Sequence, residues 1–282
     1  MQCFGLRALI CIIGLAAAPV CVWASEVPYV PTPMAVVDAM LSLAAVGPAD
    51  TVYDLGSGDG RIVIKAAKRF GARAVGIERD AALVAHSQAA ARQSGVTDQA
   101  TFLQQDIFQA DFRHATVVTL YLLPDVNLQL RPRILSELSP GTRIVSHDWD
   151  MGDWPPDRTL VIEVPEKPTG GTPVSLIYLW TVPARLAGTW RGTLTSPQGT
   201  ETAELQIVQW YQHISATISL SRSRMSGKGR LSGATGSLMI QVPGALGSEP
   251  PAFALRASGD QIEAEGIAGH ARYLLQVVRV RH

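Results

Sequence analysis

The sequence predicts an α/β fold built on a parallel sheet, followed by a smaller, antiparallel β part. Two observations carry this. Three short apolar runs, ending in Asp54, Glu78 and Asp106, are separated by stretches of helical period, the alternation that builds a parallel sheet. Beyond Pro183-Ala184-Arg185 the hydrophobic period changes from helical to two, as it does in half-buried strands.

Composition sets the bounds. The chain has 282 residues, 47% hydrophobic and 17% charged, which supplies a core for one large domain or two modest ones. Net charge is zero, so no global field favours nucleic acid or an anionic membrane. The cysteines are Cys3, Cys11 and Cys21. The chain beyond them therefore has neither a disulfide nor a thiolate metal site.

Residues 1–24 hold one basic residue, Arg7, then an apolar run up to Val22, with small residues before Ser25. This reads as a signal peptide for export to the periplasm, or as an uncleaved membrane anchor. The run is short for a spanning helix and is broken by Pro19. Cys21 sits in a poor lipoprotein signal.

Pro28, Pro31 and Pro33 then forbid a helix and favour an extended segment. An amphipathic helix over 34–45 follows, stopped by Gly47-Pro48. The extended segment is either a spacer or a lid whose Tyr29 and Thr32 close over a ligand.

The stretch from Val52 to Arg61 reads Val-Tyr-Asp-Leu-Gly-Ser-Gly-Asp-Gly-Arg. Gly56, Gly58 and Gly60 let the backbone turn sharply and leave room for a ligand. A helix over 62–70 then aims its N-terminal N–H groups at that ligand. Glu78 ends the second run, where a carboxylate can accept from both hydroxyls of a ribose. Asp106 ends the third, where it can accept from an adenine amino group while Ile107 packs on the ring. Helix N-capping is the alternative for Asp106. The dehydrogenase fingerprint G-x-G-x-x-G fails, because its third glycine falls on Arg61.

Asp54-x-Gly56-x-Gly58-x-Gly60 with Glu78 and Asp106 resembles the class I S-adenosylmethionine (SAM)-dependent methyltransferases. The resemblance implies a Rossmann-like seven-strand sheet with SAM as cofactor. Asp54, Gly56, Ser57, Gly58 and Gly60 would hold its methionine part, under a lid of Tyr29 and Thr32. The proline segment and Asp59-Gly60-Arg61 sharpen the likeness over about residues 27–182. It is to the small protein-lysine methyltransferases of mitochondrial carriers and of the membrane-ring protein of ATP synthase, and to their bacterial relatives. A lysine acceptor is implied by that resemblance alone.

The remaining elements follow in order. Residues 80–95 form a surface helix ending at Gly95, with His86 solvated. A buried strand over 116–121 leads to Leu122-Leu123-Pro124-Asp125, the loop that faces the transferring methyl in this fold. Tyr121 and Asp125 are candidates for orienting a lysine, and the bend at Pro124 for exposing the carbonyls of Leu122 and Leu123. Alternatively Pro124-Asp125 starts the next helix. The Asn-Pro-Pro-Tyr common in enzymes that methylate base amines or glutamine is missing here. A helix over 126–138 and a strand over 143–146 lead to His147-Asp148-Trp149-Asp150, read as an acceptor rim with Trp149 as a wall and not as a metal site. Strands over 160–164 and 174–182 complete the sheet.

The domain reading is 1–24 signal or anchor, 25–182 methyltransferase, 183–187 linker and 188–282 antiparallel β. The last part holds eight short strands in a meander or small barrel, its inside filled by its own side chains or open to an apolar ligand. Arg222, Arg224, Lys228 and Arg230 form a basic hairpin in it, read as a solvated loop or as a contact for a phosphate or an acidic partner. Three functions stay open. One is a protein-lysine methyltransferase with a protein partner. Another acts on a small molecule. The third is a non-catalytic exported adaptor that keeps the scaffold.

Overall fold

The computed structural model describes residues 29–165, 173–241, 252–268 and 271–281. The segment read as signal or anchor lies outside them. No helix among the described residues is long and apolar enough to cross a membrane.

The first half alternates helices and strands: α1 Met34–Leu43, β1 Thr51–Leu55, α2 Arg61–Phe70, β2 Arg73–Glu78, α3 Ala81–Ser94, β3 Ala100–Gln104, β4 Val117–Leu120, α4 Pro124–Glu137 and β5 Arg143–His147. Two further strands, β6 Arg158–Glu163 and β7 Val174–Thr181, complete a seven-stranded sheet of order β3-β2-β1-β4-β5-β7-β6. The strands from β3 to β5 are parallel, whereas β7 is antiparallel to both β5 and β6. The order reverses between β1 and β4, so their carboxyl ends open a crevice, the place where such sheets take ligands.

Local chemistry sets the ends of these elements. The Asp80 carboxylate accepts the backbone N–H groups of Ala82 (2.7 Å) and Leu83 (3.1 Å) and so caps α3. Pro124 occupies the first turn of α4, where its missing N–H costs nothing. Helix α4 thus begins at Pro124 and not at 126, and β6 begins at Arg158 and not at 160. One face of the sheet packs on α1, α2 and α3 through Val37, Met40, Leu41, Val63, Ala66, Val84 and Ala91. The other packs on α4 through Leu130 and Ile134, against Leu55, Ile77, Leu120 and Ile144.

The second half is a closed barrel of eight antiparallel strands: β8 Gly188–Ser196, β9 Gly199–Trp210, β10 His213–Ser219, β11 Arg224–Ser232, β12 Thr235–Gln241, β13 Ala252–Ser258, β14 Gln261–Ala268 and β15 Ala271–Arg279. Alternate residues fill it, among them Trp190, Leu205, Ile207, Ile218, Leu238, Leu255 and Leu275. Small barrels fill in this way.

Two details depart from the sequence reading. The basic residues do not form a hairpin loop: Arg224, Lys228 and Arg230 alternate along the outer face of β11, and only Arg222 precedes it. Arg230 is drawn onto Asp157 of the sheet half, 2.6 Å away. The segment 183–187 is also packed. Ala184 and Leu186 are buried in the barrel core, and Ala184 N–H donates to Gly233. Two apolar side chains a step apart find the barrel interior, and a short connection is held by it.

Candidate active site

The glycine loop is tied down from three sides. The N–H groups of Gly56 and Ser57 donate to the carbonyl of Ile77 at the end of β2 (2.8 and 3.0 Å). Ser87 of α3 donates its hydroxyl to the carbonyl of Gly58 (2.9 Å). The N–H of Gly58 donates to the carboxylate of Glu78 (3.0 Å). Gly58 has φ +52°, and a Cβ there would lie 2.5 Å from the Tyr29 ring. Gly60 has φ +78° and lies against Phe102 and Ser87, with no room for a side chain. The loop therefore needs glycine at these two positions for both conformation and space.

The proline segment lies on this loop. Tyr29 covers Gly58. Thr32 is buried, and its carbonyl accepts from Nη1 of Arg61 (2.8 Å). Arg61 also holds Asp59 through an ion pair of 2.5 Å. Partial burial, then the Asp59 carboxylate, pushes the Tyr29 hydroxyl pKa up. Arg61 thus fastens the extended segment to the glycine loop.

The acids divide by surroundings. Asp54 is buried, its Oδ1 accepting from the Thr119 hydroxyl (2.7 Å). Burial pushes its carboxyl up to about 7, against the Thr119 bond and with help from Asp59 and Glu78. A buried acid of this kind suits a cationic ligand group, which would ionise it. Glu78 also accepts from the N–H groups of Arg79 (2.7 Å) and Asp80 (2.9 Å), so its carboxylate is held rigid at the end of β2. Asp106 accepts from the N–H of Phe108 (2.9 Å) and caps the turn after β3. Ile107 packs toward the α4 side of the core. Ser57 turns its hydroxyl under the loop, buried against Gly76; its contribution above the loop is backbone.

The ends of β4 and β5 form the other wall. Leu122 reaches back to Gly56, its Cδ2 2.8 Å from where a Cβ would stand. The carbonyl of Leu123 is taken by the N–H groups of Val126 and Asn127. Asp125 is exposed in the first turn of α4. Tyr121 packs on His147, ring centroids 3.9 Å apart. His147 is buried, with Nε2 2.9 Å from the Ser175 hydroxyl. Burial and the Asp148 carboxylate raise the Tyr121 pKa. Burial, Asp150 and Asp148 do the same to Tyr178 of β7. Asp148 sits at φ +60° and binds β7 in both directions, through Leu176 O (2.7 Å) and Leu176 N–H (3.0 Å). Trp149 and Asp150 beyond it are exposed. Among the described residues no three His, Cys, Asp or Glu side chains come together as a metal site.

Sequence reasoning missed Tyr178, Ser175 and Asn127. Their only signal was position: Ser146 lies opposite Tyr178 in the β5–β7 register, a pairing that the chain order does not announce. The structure places the predicted residues in two groups at the carboxyl ends of the strands: Asp54, the glycines, Glu78 and Asp106 after β1 to β3, and Tyr121 to Asp125 with His147 to Asp150 after β4 and β5.

The arrangement fits a nucleoside with a cationic amino-acid tail: a glycine loop covered by Tyr29, a rigid carboxylate at Glu78 and a buried acid at Asp54. Comparisons with known proteins agree. The model of the ANTKMT methyltransferase domain matches residues 54–158. A protein-lysine N-methyltransferase of Saccharolobus islandicus is 45% identical over 139 residues, 49% of this chain and 86% of that protein. The mouse adenine nucleotide translocase lysine N-methyltransferase is 35% identical over 132 residues, 46% of this chain and 57% of that protein. Among solved structures, an RNA methyltransferase from Salinibacter ruber in complex with S-adenosyl-L-homocysteine is 53% identical, with a TM-score of 0.51, over 56% of this chain and 96% of that one. SAM is accordingly the methyl donor, and the chain belongs to the family of SAM-dependent methyltransferases that carry the ANTKMT methyltransferase domain.

Proposed function

We propose that the chain transfers the SAM methyl group to the side-chain amine of a protein lysine. The observation that carries this reading is the acceptor wall. Tyr121, Tyr178 and Trp149 supply aromatic faces there, and Asp148 and Asp150 supply negative charge beside them. Aromatic faces with nearby carboxylates attract an ammonium group and repel phosphate. The lysine-specific relatives support the same acceptor.

When bound, SAM supplies a methyl already activated by its sulfonium. The chain's own residues then hold and orient. Glu78 would fix the nucleoside end, and Asp54 with the glycine loop would face the cationic amino-acid end. The carboxylates of the rim draw a lysine in as ammonium. Between Tyr121 and Leu122 the amine leaves water, which lowers its pKa and releases its proton to solvent. An in-line approach is then a matter of positioning, and a dedicated base is not required.

The second reading, an RNA acceptor, comes from the name of the Salinibacter ruber protein. The zero net charge and the acidic rim weigh against it. The deciding experiment offers the purified enzyme labelled SAM with a bacterial protein extract, with total RNA and with a small-metabolite fraction. Label on lysine, identified by mass spectrometry, is the expected result. Label in RNA alone, or in metabolites alone, overturns the lysine assignment.

The sequence of residues 1–24 adds export to the periplasm, or membrane association through an uncleaved segment, to this reading. Fractionation of cells making the full chain, with the mature N-terminus sequenced, decides it. A protein left whole and soluble in the cytoplasm would overturn it.

A further inference from the structure

The β9–β10 turn is poorly made for a turn. Trp210 and His213 pair across it, leaving Tyr211 and Gln212 as its two central residues. Such turns favour Gly, Asn or Asp, because they require positive φ. Here a bulky Tyr211 holds φ +51°, and Gln212 is wholly buried. Strain in a bulky residue persists where the surroundings hold it, and it points to function.

Both residues grip the segment that follows the acceptor rim. Trp154 donates its ring N–H to Gln212 Oε1 (3.0 Å), and Gln212 Nε2 donates to the carbonyl of Pro155 (2.7 Å). Tyr211 stacks on Trp154, centroids 5.8 Å apart and planes 18° apart, and its hydroxyl donates to Asp153 (3.1 Å). From the other side α4 holds the same segment. Arg131 donates to the carbonyl of Met151 and to Asp153, both at 2.5 Å, and Asn127 donates to the carbonyls of Trp149 and Asp150, both at 3.3 Å. The Arg131 guanidinium also lies over the Tyr211 ring, 5.7 Å away. The segment from Trp149 to Pro155, which carries the rim's end, is thus clamped between α4 and a barrel that begins beyond the end of the matched family domain.

We propose that the β9–β10 turn positions the acceptor rim, with Tyr211 and Gln212 as positioning residues for methyl transfer. The proposal rests on the reading of residues 148–150 as the acceptor side. The barrel is then a part of the acceptor wall, held to it by a turn whose sequence is chosen for contact.

The test uses the full chain with Gln212→Leu, Tyr211→Gly and Tyr211→Phe. Tyr211→Gly relieves the turn, and Tyr211→Phe keeps the ring stack. Amide hydrogen exchange of residues 149–154 should quicken about tenfold in the first two variants. S-adenosylhomocysteine affinity should hold within about twofold, while KM for the acceptor rises about fivefold or more and kcat changes less. Tyr211→Phe should stay near wild type. Unchanged exchange and KM in a folded Gln212→Leu overturn the proposal. So does a parallel loss of S-adenosylhomocysteine binding, which a general packing defect would give. Kinetics are read on whichever acceptor the wild type methylates, and exchange needs none, so failure of the lysine reading stays separate from failure of this one.

Discussion

Arg61 spans the gap between the glycine loop and the extended segment before α1: its Nη1 donates to the carbonyl of Thr32 at 2.8 Å while the same guanidinium pairs with Asp59 at 2.5 Å. Replacing it with methionine keeps the stem and removes both links. SAM affinity should fall about three- to tenfold, because ordering the lid then costs entropy at the moment of binding. Limited proteolysis should cut near Tyr29 sooner in this variant than in wild type. Equal affinity and equal cleavage would detach the lid from the cofactor.

Glu78→Ala should weaken SAM binding by about an order of magnitude or more, as expected for a ribose-binding carboxylate at a strand end. The loss has a second source, since the N–H of Gly58 loses its acceptor. Calorimetric titration of folded protein reads it, and wild-type affinity would remove Glu78 from the site.

Asp54 sets a pH dependence. Its carboxyl is pushed up to about 7 by burial, beside Asp59 and Glu78 and against the Thr119 bond. Between the ordinary carboxylate range and about 7, the folded protein keeps a proton that the unfolded chain has lost. This contribution to stability is therefore greatest at low pH and falls as pH rises through that window. A cationic ligand group reverses the preference and ionises Asp54. SAM affinity should therefore rise with pH and level off above about 7. Calorimetry in buffers of different ionisation enthalpy should detect proton release at about pH 6 and little at about pH 8. Proton uptake at the lower pH would contradict this role.

Trp190 is the largest test of the barrel. It is fully buried, donates its ring N–H to the carbonyl of Leu186 (2.9 Å) and lies under the Arg279 guanidinium, 4.1 Å away. Trp190→Ala should cost about 3–5 kcal/mol, read by denaturant unfolding followed through far-ultraviolet circular dichroism. A loss below about 1 kcal/mol would mean that the barrel core closes without it.

Much of this was legible beforehand. The helices and strands stand where hydrophobic period and punctuation place them, because Gly71, Gly95 and Pro124 end or begin helices for local reasons. The grouping of Asp54, the glycines and Glu78 at neighbouring strand ends was legible too, since they occupy one supersecondary unit. Across the sheet, Tyr121 and residues 147–150 were legible as well, but their partners on β7 were not. Tyr121 meets His147, and Ser146 meets Tyr178, only after the sheet has fixed its strand order. Arg222 to Arg230 misled for a similar reason: a run of charges reads as a solvated loop, yet alternate charges line the outside of a barrel strand equally well.

The strand order carries a further consequence. Donor-side residues stand on β3, β2 and β1, and among the described residues the barrel meets the other end of the molecule, from α4 through Asp157. On the acceptor side proposed above, a domain added at this edge of the sheet can alter which recipient is held without touching the strands that would carry the methyl donor, so one transferable chemistry can be readdressed by accretion at a single edge.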